Sequence, residues 1–164
     1  GVVAQAPTVR LSGFFASPTQ LMAGTTDLHT GEAIFLEKRT LDEGFTPVRA
    51  SSAMPFVSKI VRYQGHELLD GSYSTSIPLR RSLNDGNTRN VVVLTRDASY
   101  RKGTRSEYPR TALRKIYGKY PSFIEAVQRR PLVYNSELDL CTQQEQGGQS
   151  GVDPPQQTHP SGAL

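Results

Sequence analysis

The sequence predicts a layered α/β fold, with a central sheet flanked by helices. Three observations carry this expectation. Residues 90–95, NVVVLT, are apolar almost throughout, as in a strand covered on both faces. Two pairs of short strand-like runs, within 19–36 and 59–69, bracket the turn residues His29-Thr30-Gly31 and Gln64-Gly65, the pattern of hairpins. Beyond Arg96 the apolar spacing becomes helical, with Leu113, Ile116 and Tyr117 in one segment and Phe123 and Val127 in the next. Strands followed by helices that cover them make a layered sheet.

The elements follow in order. Residues 20–27 and 32–36 are the strands of the first hairpin. Residues 45–53 read as a short helix, with Thr46 as its cap and Pro47 as its first residue. Its small residues suit close packing, and Met54-Pro55 ends it. Residues 59–63 alternate as a strand, and 67–69 return towards Asp70. Pro78 opens a short helix through Leu83 that stops near Gly86. The 90–95 strand is expected in the middle of the sheet. Pro109 and Pro121 mark helix starts and Gly118 a helix end. A third helix is expected over about 131–144, with Leu132, Leu138 and Cys141 as its apolar contacts. From Gly147 the string GGQSGVDPPQQTHPSGAL has no apolar period. Residues 1–146 therefore read as one domain, and 147–164 as a disordered polar tail.

With 164 residues the chain is one domain or a piece of a larger one. A net charge of +4 permits anionic partners without requiring them. The single cysteine, Cys141, excludes an internal disulfide and a multi-cysteine zinc site. His29, His66 and His159 are too scattered for a ligand pattern, and no metal or organic cofactor is implied. No apolar run has the length of a membrane span, and the first fifteen residues do not read as a signal peptide. The expected location is the cytoplasm, at most peripheral to a membrane. The chain does not start with Met, and is expected to begin inside a longer protein.

The stretch 50–79, ASSAMPFVSKIVRYQGHELLDGSYSTSIPL, organises the rest. Its apolar approach, residues 66–69, delivers Asp70 into a turn at Gly71-Ser72. Glycine there lets the backbone take a conformation that a Cβ would forbid. A carboxylate at a strand end is a common position for a catalytic group. Asp-Gly is equally a common turn dipeptide, so Asp70 alone reads as a turn former as readily as a base.

The order of motifs adds to this. The hairpin MAGTTDLHTGEAIF (22–35), the helix ASSAMP (50–55), the string LLDGSYSTSIPL (68–79), the strand NVVVLTR (90–96) and the basic segment ending RRPLVYNSELDL (129–140) occur in that sequence. Over residues 15–140 the chain resembles the C-terminal half of the patatin-like phospholipases, a bacterial subgroup above all. The resemblance implies a lipid acyl hydrolase working through a Ser–Asp dyad, with Asp70 as the base. A serine hydroxyl is a weak nucleophile and needs an adjacent base to take its proton. Two departures stand out. Ser72 occupies a position where the family carries Gly or Ala. No Gly-x-Ser-x-Gly occurs among the 164 residues, so the resemblance puts the nucleophile, and the glycine-rich oxyanion loop, in an N-terminal half outside this chain. The alternative is a non-catalytic interaction or membrane-surface protein on the same scaffold.

Residues 101–130 carry nine Lys and Arg against Glu107 and Glu125, with Tyr108, Tyr117 and Tyr120 between them. Such a segment reads as a solvated helical face, or as a surface attracted to anionic lipid headgroups. No nucleic-acid-binding motif accompanies it, so nucleic acid is not the expected partner. His66 reads as an exposed strand residue, Cys141 as a buried small hydrophobe, and Ser51 and Ser52 as satisfying local backbone groups.

Overall fold

A computed structural model describes residues 11–42, 44–148 and 150–153. A short helix α1 (Leu11–Ala16) leads into β1 (Met22–Asp27) and β2 (Ala33–Glu37). Helix α2 (Thr46–Ser51) precedes the hairpin β3 (Val61–Tyr63) and β4 (His66–Asp70), followed by a 3-10 turn at Gly71–Tyr73. Then come α3 (Leu79–Asn84), β5 (Asn90–Val93), α4 (Arg110–Tyr117), α5 (Pro121–Gln146) and β6 (Ser150–Asp153). The chain is mixed α/β. Strands β1 to β4 form an antiparallel sheet in the order β2-β1-β4-β3, whereas β5 and β6 form a separate parallel pair.

Local chemistry accounts for the hairpins. Gly31 has φ +73 in the β1–β2 turn, and Gln64 and Gly65 have φ +49 and +81 in the β3–β4 turn. Two successive left-handed residues make the turn that matches strand twist. Helix α2 starts differently from expectation. Thr46 lies inside the helix, and the cap residue is Phe45 in a left-handed conformation without a side-chain cap. Asp42 substitutes for it, accepting from Thr46 N–H at 2.7 Å.

The sheet is packed on both faces because β4 turns consecutive leucines in opposite directions. Leu68 joins Leu36 and Ala50 of α2. Leu69 joins Leu28, Leu113, Tyr117, Tyr120, Phe123 and Val127, the core made with α4 and α5. A second core, of Ile77, Leu79, Leu94, Leu138 and Cys141, lies between α3, β5 and the later turns of α5.

Two expected boundaries change. The break before Pro131 is absent, and α5 runs unbroken for 26 residues. Proline removes the N–H that would bond the carbonyl four residues earlier, here Val127. The hydroxyl of Ser106 donates to that carbonyl at 3.4 Å instead. The 90–95 strand is not in the middle of the four-stranded sheet. It pairs in parallel with Ser150–Asp153, which lie within the stretch expected to be a disordered tail. Val91 and Val93 are 75% and 77% exposed, so one face of β5 is uncovered among the described residues. Residues 154–164 of that tail lie outside the described residues.

Candidate functional site

Asp70 ends β4, opposite Thr25 of β1. Three contacts hold its backbone and side chain. Its N–H donates to Ala53 O at 2.9 Å, its carbonyl accepts from Thr26 Oγ1 at 2.8 Å, and its Oδ1 accepts from Ser72 N–H at 2.8 Å. Among the described residues no hydrogen bond or ion pair reaches Oδ2. The carboxylate is thus oriented through one oxygen and open through the other.

Gly71 is required for a reason other than backbone freedom. It is not in the left-handed region. A Cβ on it would stand 2.4 Å from Gly24 O and 2.5 Å from Gly24 C, so the 3-10 turn lies directly on the backbone of β1. Tyr73 then plunges into the main core.

Ser72, which follows Gly71 in the 3-10 turn, has a partner 58 residues away. Arg130 of α5 donates from Nη2 to Ser72 Oγ at 3.0 Å and from Nε to Ser72 O at 3.1 Å. Its guanidinium also lies over the Tyr73 ring, 4.7 Å from the centroid, and pairs with Glu107. Arg130 braces the turn that carries Asp70. Nothing in the local sequence of the turn announces this contact.

Further along the same strand edge lies a polar cluster that the sequence reading did not assemble. Asp27 is 3% exposed and accepts from His66 Nδ1 at 2.8 Å and from the N–H groups of His29 and Thr30 at 2.9 and 3.0 Å. Burial pushes its carboxyl up, but the hydrogen bonds from Thr30, His66 and His29 outweigh that and hold it below its usual range. His66 is therefore tied to a buried carboxylate rather than standing free on its strand. Glu67 accepts from Tyr120 OH at 2.6 Å, Arg62 Nε at 2.9 Å and, with the appropriate tautomer, His29 Nε2 at 3.0 Å. Tyr120 and Arg62 lead the causes that bring its carboxyl down to about 2, against the opposing effect of burial. These pairings saturate the carboxylates. Among the described residues no three His, Cys, Asp or Glu side chains are placed to hold a metal ion.

The basic segment is paired in part, and among the described residues Arg105, Arg114, Lys115 and Arg129 form no ion pair. Arg101 pairs with Asp139, Lys102 and Arg130 with Glu107, and Arg110 with Glu125. Cys141 is buried, and Ser52 Oγ donates to Val48 O and Arg49 O, both at 3.3 Å, as the sequence suggested. No described helix is long and apolar enough to cross a membrane.

No family model matches the chain, and no curated protein matches it.

Proposed function

We propose that this chain is the C-terminal half of a layered patatin-like domain that hydrolyses carboxylic esters of lipids. A serine outside residues 1–164 would be the nucleophile and Asp70 the base. The observation that carries this reading is the Asp70 carboxylate, fixed at a strand end through Oδ1 with Oδ2 unpartnered among the described residues. A base that works without histidine needs one oxygen held and one free.

In the reaction, Oδ2 of Asp70 takes the serine proton as Oγ bonds to the ester carbonyl carbon. The ester C–O bond then breaks, and the alcohol leaves with that proton. Water attacks the acyl-enzyme, gives its proton to Asp70, and the acid leaves as serine regains it. Arg130 acts through Ser72 and is a positioning residue. The reading calls for no metal or organic cofactor.

The test joins this chain to an upstream segment carrying Gly-x-Ser-x-Gly. Asp70→Asn is expected to lower turnover of a short-chain chromogenic ester and of a phospholipid by about 10²–10⁴-fold, with unchanged circular dichroism. Asparagine keeps the turn but is not a base. A folded variant with near-normal turnover on both substrates overturns the assignment and leaves Asp70 a turn former.

A further inference from the structure

A cleft of about 680 Å3 opens between α2 and β3. Its charged and hydroxyl lining is Thr46, Arg49, Ser52, Ser58, Lys59 and Arg62, and no carboxylate of the described residues lines it. Arg49 and Lys59 form no ion pair with any described residue. Arg62 is shared with Glu67 at 2.9 Å, yet its side chain is 78% exposed. Asp42 lies within reach of the Arg49 charge, but its Oδ1 is occupied by Thr46 N–H. The Ser52 hydroxyl is spent on Val48 O and Arg49 O and that of Thr46 on Asp42, so three cations and the Ser58 hydroxyl around one opening form the recognition set for a phosphate group.

The segment that joins two stretches of the lining, Ala53 and Ser58, is apolar and turned outward. Met54, Phe56 and Val57, between α2 and β3, are exposed, Val57 at 81%, and so is Val48 beside Arg49 on α2. This loop is held in place. Phe56 has φ +66, its N–H donates to Tyr117 OH at 2.9 Å, and its ring lies 4.9 Å from Tyr108 and 5.5 Å from Tyr117. Large apolar side chains presented to water from a pinned loop, next to the cationic cleft, match the two layers of a membrane surface: acyl chains below and phosphates above.

We propose that the loop around Val57 and the Arg49–Lys59–Arg62 cleft together dock the protein on an anionic phospholipid bilayer. A headgroup phosphate enters the cleft while Phe56 and Val57 enter the acyl boundary. The choice of lipid rests on the lipid-hydrolase reading, but docking needs no nucleophile. Failure of docking leaves the Asp70 assignment standing, and failure of Asp70→Asn leaves docking standing.

The experiment is flotation of the full chain through a density gradient, which separates lipid-bound protein from aggregates that sink. The chain should float with vesicles of phosphatidylcholine containing about a quarter phosphatidylglycerol, not with phosphatidylcholine alone, and about 0.5 M salt should release it. Arg49→Glu/Lys59→Glu should weaken binding about tenfold or more, and Val57→Asp should also weaken it, with circular dichroism unchanged for both. Arg105→Glu/Arg129→Glu changes the charge equally within the basic segment and should still float. Equal loss in that control overturns the proposal in favour of the basic segment. Saturable binding of soluble glycerol phosphate without flotation assigns the cleft to a free phosphate and overturns it. So does a wild type that self-associates through Val57 without floating, which would make the loop a contact between copies.

Discussion

Helix α5 carries two unequal structures. Its first turns, with Phe123, Ile124 and Val127, close the core beneath the four-stranded sheet. Its later turns, with Leu138 and Cys141, meet α3 and β5. In the first region β4 is covered above and below at its centre, so that Leu68 and Leu69, adjacent on it, are both fully buried. In the second, β5 half-buries one face and leaves Val91 and Val93 in water. The residues of β5 are at least as apolar as those of β4. Cover, supplied by other parts of the chain, makes the difference, and an apolar strand with one bare face is a surface shaped for contact.

The largest expected effect separates the two regions by stability. Phe123→Ala removes a fully buried ring from the larger core and should cost about 3–5 kcal/mol. Leu138→Ala should cost about 2–5 kcal/mol, towards the lower end if the smaller core relaxes into the gap. Val91→Ala, on the bare face, should stay within about 0.5 kcal/mol. Urea unfolding of the three variants reads the ranking. A Val91→Ala cost matching that of Phe123→Ala would mean that β5 is covered after all.

Gly71→Ala comes next. The added Cβ meets backbone of Gly24 and Thr25 at 2.4–2.9 Å, and no flexible side chain can yield, so a cost of about 1–3 kcal/mol or more is expected. At Gly65, φ is +81 with nothing within 4 Å of a Cβ, so the penalty of Gly65→Ala is conformational only. Both variants would be measured by denaturant unfolding. Gly71→Ala should also disturb the setting of Asp70, whereas Gly65→Ala should not. A silent Gly71→Ala would mean that β1 and the 3-10 turn are not in contact.

The contrast also shows what could be read from sequence. Hairpins β1–β2 and β3–β4 were legible because their signals are local: alternating residues around Gly31 and around Gln64-Gly65. The placement of Asp70 at a strand end was legible for the same reason. What failed to show depends on distant partners. Pro131 reads as a helix boundary until Ser106, in the loop before α4, supplies a donor to Val127 O, 21 residues from it. Arg130 meets Ser72 only through the fold. Gly71 announces a special backbone conformation, yet its role is to let two chain segments touch. The NVVV run predicts cover on both faces, and its sequence has no means of naming what provides it. The pairing of Asp27 with His66 carried a faint local signal, an aspartate at a turn and a histidine opening a strand, but nothing fixed their register.

Acidity sharpens the comparison further. Glu67, on β4 of the four-stranded sheet, is drawn down to about 2 by Tyr120 and Arg62. Glu137, in the second region, is pushed up to about 7, because burial outweighs the N–H groups of Ile77 and Ser76 and the charge of Arg80. Their linkage has opposite signs. For Glu67 the unfolded chain binds the proton more readily, so its contribution is present above its ordinary 4.5 and disappears as pH falls through about 2. For Glu137 the folded chain binds the proton more readily, so its contribution is full below 4.5 and is lost as pH rises through about 7. Glu137→Gln keeps an acceptor for both N–H groups and should flatten the decline of the urea midpoint between pH 4.5 and 7. Glu67→Gln should flatten the acid limb instead. An unchanged decline in Glu137→Gln would place its source elsewhere.

The smallest effect on stability has the plainest reading on the second region. Val91→Lys/Val93→Lys changes two side chains that already face solvent, so unfolding should move by no more than about 0.5 kcal/mol. Association is expected to change. Among the described residues β5 pairs only with β6, so its other edge carries unpaired backbone groups beside a bare apolar face. Such an edge recruits further strands, and lysine is a residue that natural edges use to prevent this. Sedimentation velocity over a range of concentrations should show the parent chain associating and the double variant shifted towards monomer. Arg105→Glu/Arg129→Glu, remote in sequence from β5, should leave association as it was. Two outcomes would remove the contrast between the regions. A parent chain that is monodisperse at every concentration would show that the face needs no cover. A double-lysine variant that associates as strongly as the parent would show that contact is made somewhere other than β5.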